Sequence, residues 1–317
     1  MREVLESTKR VMEKARGVSI SGEALEAFAG GLSAADVEPP AWDHVHHYSG
    51  DAEDVAQYLL VVDTVNFCFF ARPGERRWES NEGLSGYVGL AKALTEAVLR
   101  GVPLLDAGFL RGLDEADLRA ILGGRGGLPL MAERTAALNE LGAVLARDFS
   151  GRAAELAKAA EGSAPGLARL LAERLKSFRD TAAYDGGPVF FYKRAQLYAA
   201  DLAGALGGRG AGAFRDLPSL TAFADYKLPQ VLRQMGILRY SGKLTAKVDG
   251  LAYLPPGSME EVEIRAATVQ AVEGISRALS RRGVPASAPA LDGLLWRMGQ
   301  DESFRKKPYH RTESIYY

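Results

Sequence analysis

Three short stretches place acids, amides and cations where their types and spacing could do chemistry. Asp63, Asn66 and Phe67 lie three and four residues apart, the spacing that brings side chains to one side of a helix. The stripe Val55, Leu59, Val62, Asn66, Phe69 predicts that helix over 51–70. Asn66 falls on the stripe itself, and a polar group there must find a partner or cost about 1–3 kcal/mol. Two roles fit: a helix–helix hydrogen bond in the core, or a pocket wall offering a carboxylate and an amide beside aromatic rings. The second stretch is Phe191-Tyr192-Lys193-Arg194-Ala195-Gln196, with Gly186-Gly187-Pro188 before it and a helical run through about Leu206 after it. Cations at a helix start oppose the macrodipole. They read as solvated surface charge, or as partners for a phosphate held at that end. The third stretch centres on Asp225 in LTAFADYKLPQVL, residues 220–232. Pro229 is tolerated only in a first turn, so a helix starts close to Asp225 and runs through Leu232 to Met235. A cap aspartate is fixed in direction and kept ionised by backbone N–H groups. Asp225 either caps its helix and does nothing more, or stabilises a developing cation or orients a water.

Other chemistry is disfavoured. The four histidines are His44, His46, His47 and His310. The HVHH run reads as a polar loop, since imidazole metal sites usually need a further ligand placed by the fold. No metal site and no cofactor are expected. HExxH, GxSxG, GxxxxGK[ST] and a strand-borne GxGxxG are absent. The single cysteine, Cys68, lies in the apolar run Asn66–Phe70 and reads as a buried core thiol. One cysteine also excludes a disulfide framework. Lys and Arg number 39 against 40 Asp and Glu, a net charge of −1. That balance gives no support to a phosphate-gripping nucleic-acid surface.

The elements that must position these residues are mostly helical. Residues 131–149 and 153–177 are rich in Ala, Leu, Glu, Arg and Lys, the second broken near Gly162-Pro165-Gly166. Ser258-Met259-Glu260-Glu261 is a capping-box pattern. It opens a helix over 258–282 with the buried stripe Val262, Ala266, Val269, Val272, Ile275, Leu279, stopping near Gly283. Extended segments are few: Gly187–Phe191 and Leu251–Leu254. The glycine runs at 123–127 and 207–212 read as flexible turns between helices. Regular βα alternation is missing, which argues against a doubly wound sheet. The N-terminal MREVLESTKRVMEKARG has no apolar h-region, and no stretch of 18 apolar residues exists. The chain reads as cytoplasmic, with no membrane partner.

Several stretches together resemble the queuosine salvage protein family, the queuosine 5′-phosphate N-glycosylase/hydrolases. They are DTVNFCFF (63–70), FYKRAQLYAADL (191–202), LTAFADYKLPQVL (220–232), EVEIRAATVQAVE (261–273), LDGLLWRMGQ (291–300) and PYHRTESIYY (308–317). FADYKLPQ and the terminal stretch are the most specific; roughly 83–178 matches only in general character. The resemblance implies a mainly α fold with few short strands, similar to helix-hairpin-helix DNA glycosylases. It implies one unit over 1–317, with two helical lobes meeting near 180 and the active site between them. In that fold a lysine near a hairpin and an aspartate at a helix start flank the scissile bond, here Lys193 and Asp225. An extra histidine in the loop His44–Tyr48 departs from the family pattern.

The activity implied is release of queuine from queuosine 5′-monophosphate by N-glycoside hydrolysis. An oxocarbenium-like state would be stabilised by Asp225. Asp63, Asn66, Phe67, Trp78, Tyr226 and Glu263 are the expected contacts to the base. Lys227, His310 and Arg311 are those to the 5′-phosphate. No stable nucleic-acid complex is expected. The competing readings are a base glycosylase acting within DNA or RNA, and a non-catalytic binder of a modified base or nucleotide.

Overall fold

The computed structural model describes residues 1–317. Fourteen α-helices and four short strands follow one another along the chain. The first are α1 (Arg2–Lys14), β1 (Val18–Ile20), α2 (Gly22–Gly31), α3 (Ala52–Thr64), α4 (Gly86–Leu99), α5 (Ala107–Gly112) and α6 (Glu115–Leu122). Next come α7 (Met131–Asp148), α8 (Ala153–Lys158), α9 (Ala164–Arg174), β2 (Thr181–Tyr184), β3 (Gly187–Phe190) and α10 (Lys193–Ala205). The last are α11 (Lys227–Gln234), β4 (Leu238–Tyr240), α12 (Gly242–Asp249), α13 (Met259–Arg281) and α14 (Ala288–Met298). The mainly α expectation holds. No helix is long and apolar enough to cross a membrane.

The chain divides into two compact units. The first holds Met1–Pro40, Asp180–Lys193 and Pro218–Glu313; the second holds Ala41–Arg179, Arg194–Leu217 and Ser314–Tyr317. One crossing between them falls at Arg179/Asp180, and another separates Lys193 from Arg194 within α10.

The first unit is built on α13. Its apolar stripe puts Ile264, Val272, Ile275 and Leu279 in one core with Leu228, Val231 and Leu232 of α11 and Leu291 and Leu295 of α14. Ser258 caps α13 by accepting the Glu261 N–H at 3.5 Å. The reciprocal arm of the box lands one residue early, with Glu261 accepting from the Gly257 N–H at 3.1 Å. Strand β2 pairs antiparallel with β3, with Thr181 opposite Phe190 and Tyr184 opposite Gly187. The turn residues Asp185 and Gly186 both have positive φ, 48° and 77°, the conformation a two-residue hairpin loop requires. Strand β1 pairs antiparallel with β4, a pairing with no signal in either three-residue segment. Leu251–Leu254 forms no strand; only Tyr253 makes an isolated bridge, to Arg311.

The second unit packs α3, α4, α7 and α9 through Leu59, Leu60, Leu90, Leu94, Leu138, Leu141, Leu145, Leu167 and Leu171, all nearly inaccessible. The expected helix over 153–177 is two helices, with Pro165 in the first turn of α9 behind a Ser163 cap. The 123–127 glycine run is an ordered turn. Arg125 and Gly127 bridge to Glu79 and Arg77, and the backbones pass so closely that Cβ atoms on Gly124 and Gly126 would strike carbonyls at 2.2 and 2.4 Å.

The expected helix over 51–70 is corrected. It stops at Thr64, and Asn66, Phe67 and Cys68 lie in a loop, Cys68 with φ +47°. Val61, Val62, Thr64 and Val65 are β-branched and weaken helix propagation. The carbonyls that would continue the helix are taken by two buried arginines. Arg194 donates to the carbonyls of Asp63 and Thr64, and Arg134 to those of Val65, Phe67 and Cys68. Solvated surface charge is therefore wrong for Arg194, which is 1% exposed.

Helices α5 and α7 touch at Gly142, where a Cβ would fall 2.4 Å from the Ala107 carbonyl oxygen and 2.5 Å from the Arg111 nitrogen. Backbone cannot yield as a side chain does. Gly142→Ala is expected to cost about 1–3 kcal/mol, read as a lowered urea midpoint at unchanged m-value.

Candidate active site

The residues singled out in the sequence divide between the units. Asp63, Asn66, Phe67 and Trp78 belong to the second; Lys193, Asp225, Tyr226, Lys227, Glu263, His310 and Arg311 belong to the first.

In the first unit Asp225 caps α11 from one residue before the formal cap. Its Oδ1 accepts the N–H groups of Lys227 at 2.7 Å and Leu228 at 2.9 Å, with Pro229 in the first turn as the sequence requires. Burial raises its pKa above the ordinary aspartate value, opposed by the ammonium of Lys193 and then by those two N–H donors. Lys193 is buried and begins α10 directly after Tyr192, which holds φ +52°. A left-handed residue costs about 1–2 kcal/mol, so this turn is held by its surroundings. Phe191 and Tyr192 donate their N–H groups to the Asp180 carbonyl, and Lys193 donates its own to the Asp180 carboxylate at 3.0 Å.

A second carboxyl group stands beside this pair. Asp292 of α14 is buried and accepts the Phe223 N–H at 2.7 Å, two residues before Asp225. Burial, then the charge of Asp225, pushes its pKa well above the ordinary aspartate value. Two carboxyl groups with unequal surroundings are the pattern of an acid and a base sharing one site.

The other first-unit residues separate by partner. The Tyr226 ring lies 4.8 Å from that of Tyr309, and the Lys227 ammonium sits 5.9 Å over the same Tyr309 ring. His310 is fully buried, and desolvation with the nearby Arg265 charge pushes its pKa down to about 3. It is neutral at pH 7 and could meet a phosphate only as a neutral N–H donor. Arg311 and Thr312 follow, with a buried Nε and a buried hydroxyl that no protein group bonds. Glu263, expected at the base, is committed elsewhere. It accepts N–H groups from Arg16, Gly17 and Val18 and the Tyr184 hydroxyl at 2.6 Å.

In the second unit the Asn66 amide reaches the Asp63 carboxylate at 3.4 Å, across the end of α3 and not along a helix face. The Phe67 ring lies between two guanidinium groups, 4.3 Å from that of Arg134 and 5.0 Å from that of Arg194, each a cation–π contact. Trp78 is spent on the protein: it is 4% exposed and donates its indole N–H to the Gly123 carbonyl at 2.9 Å. The HVHH histidines turn to separate partners. His44 bonds Ser49, His46 bonds Asp43, and His47 turns inward to the Tyr87 hydroxyl at 2.8 Å.

The family model described as queuosine salvage protein matches residues 46–317. The chain belongs to the queuosine salvage protein family. It is 45% identical, over 99% of its length and 97% of the relative's, to the queuosine 5′-phosphate N-glycosylase/hydrolase of Sphaerobacter thermophilus. Proteins of the same name from Dictyostelium discoideum and Bos taurus are 36% and 33% identical, over 84% and 98% of this chain and 79% and 98% of theirs.

For this queuosine salvage chain, residue types missed three participants: Asp292, Asp180 and Arg265. Asp292 alone left a signal, an acid between Leu291 and Leu295 on an apolar helix face. Glu263→Gln is expected to lower stability by about 1.5–3 kcal/mol, measured by chemical denaturation, because an amide replaces an acceptor of four donors. Unchanged stability with weakened ligand binding would return Glu263 to the base.

Proposed function

We propose that this protein hydrolyses the N-glycosidic bond of queuosine 5′-monophosphate and releases queuine. The reading rests on family membership. The observation that carries the mechanism is the half-buried Asp225 carboxylate, aimed by two backbone N–H groups with the Lys193 ammonium beside it. Cleavage at C1′ builds positive charge on the ribose. A fixed, desolvated anion counters that charge with no reorganisation at the moment of reaction. Asp225 acts on the sugar as stabiliser, nucleophile or activator of water, three roles that share its charge.

The leaving base is a 7-deazaguanine, with carbon where guanine carries N7, so protonation at that position is closed. Asp292, whose pKa is raised by burial and by the charge of Asp225, is the candidate donor to the departing base, with Lys193 as the neighbouring cation. Asp63 and Asn66 supply the carboxylate and amide that queuine's ammonium and diol favour, and Tyr226 supplies a ring for stacking; the Phe67 ring is taken by the two guanidinium groups. Lys227, His310 and Arg311 are assigned to the phosphate. Arg311 has the firmest physical support, because its buried Nε lacks a protein acceptor and arginine pairs well with phosphate. This reading requires no cofactor and no nucleic-acid partner, and the reaction is cytoplasmic.

Asp225→Asn should fold and lose about 10²–10³-fold in single-turnover release of queuine; near-normal release would remove Asp225 from the mechanism. The ionised form is the active one and its pKa is raised. The wild-type kcat/KM should therefore fall with decreasing pH through an apparent value above 3.8, the ordinary aspartate value. Arg311→Ala should weaken the monophosphate more than the nucleoside, compared by isothermal calorimetry. Equal losses for both would detach the tail from the phosphate.

A further inference from the structure

Lys193 and Asp225 come from different parts of the chain, and one buried ion pair touches the backbone of Lys193 and of Ala224, the residue before Asp225. The Asp180 carboxylate accepts both arms of the Arg265 guanidinium, at 2.8 and 2.6 Å, with both side chains 3% exposed. The remaining donor of the fork, Nε, bonds the carbonyl of Ala224 at 3.0 Å, one residue before Asp225. On the other side Asp180 accepts three successive N–H groups, those of Phe191, Tyr192 and Lys193. The guanidinium lies 3.9 Å from the centre of the Phe191 ring. From Lys193 to Ala224, the residue before Asp225, there is thus a continuous path of hydrogen bonds through two side chains.

Resting on the reading of Lys193 and Asp225 given above, we propose that Asp180 and Arg265 are positioning residues that set the separation of the Lys193 ammonium and the Asp225 carboxylate. A pair whose only task was to stabilise the core would be a poor choice. Two charges taken out of water are on average no better than apolar residues of the same volume. Arginine suits the task because its planar fork offers donors in fixed directions, two for a carboxylate and one for a carbonyl. A lysine in its place keeps the charge and one bond to Asp180 but cannot also reach Ala224.

The test exploits the mutual electrostatics of the site. Lys193 lowers the Asp225 pKa, burial raises it, and Asp292 of α14 and Lys227 of its own helix also face it. Glu261, 3.6 Å from the Arg265 guanidinium, and the neutral His310 border the hub itself. Loosening the hub weakens the influence of Lys193, so the acid limb of kcat/KM moves to higher pH. Arg265→Lys is expected to lower kcat about 10–100-fold, the cost of roughly an ångström of misplacement. KM should stay within about threefold, and the acid limb should move up by about half a unit or more. Lys193→Gln should move the limb the same way, and the double variant no further than Lys193→Gln alone. Leu279→Ala, which opens the core of the same unit away from the hub, supplies the comparison at equal loss of Tm.

A folded Arg265→Lys protein with the wild-type kcat and acid limb would overturn the proposal. So would a loss that Leu279→Ala reproduces. If Arg265→Lys does not fold, Asp180→Asn carries the same test. If neither folds, Phe191→Leu, which removes only the ring under the guanidinium, decides it. Wild-type queuine release by Asp225→Asn and Lys193→Gln would remove the underlying reading and this proposal together. Wild-type behaviour of the hub variants alone would remove only the proposal.

Discussion

A carboxylate held away from water must be given something in water's place, and most of the first unit's polar architecture answers that demand. Asp225 receives two N–H groups from α11 and the field of Lys193. Asp180 receives a guanidinium and a backbone N–H. Glu263 receives three backbone N–H groups and a phenol. An unpaired buried charge costs several kcal/mol, so each acid dictates where its donors lie, and the donors belong to segments far apart in the chain. The turn at Tyr192, the start of β1 at Val18 and the start of α11 are each held in part by a carboxylate.

The second unit inverts the arrangement. There two buried arginines take the leading part, and what they neutralise is backbone. Arg134 and Arg194 gather the carbonyls released where α3 ends and hold Phe67 between them. Five donors on a rigid plane can satisfy several carbonyls at once, so a loop with a left-handed cysteine sits in the interior without orphaned acceptors on those residues. Asn66, at the same loop, reaches Asp63 through that fold of the chain and not by helical spacing.

Much of this was legible in the residue order. The α13 stripe and its Ser258 cap, the break before α9 and the start of α11 at Asp225 follow from local rules. Periodicity and capping depend on neighbours within about four positions. The places where local reading failed share one cause. Arg194, Glu263 and Asp292 are of types usually solvated, and their burial is set by partners more than 60 residues away. The overrun of α3 to residue 70 failed likewise, because the donors that end the helix lie on α7 and α10.

By itself the sequence determined a mainly helical chain, the family to which it belongs, and the cap geometry of Asp225, since each is encoded in residue types and short spacings. Only the tertiary structure decided which charges are buried and what compensates them. It raised the pKa of Asp292 beside Asp225, committed Glu263 and Trp78 to the scaffold, and joined Asp180 to Arg265. Desolvation is a property of the packed surroundings, and no residue carries that property in its own identity.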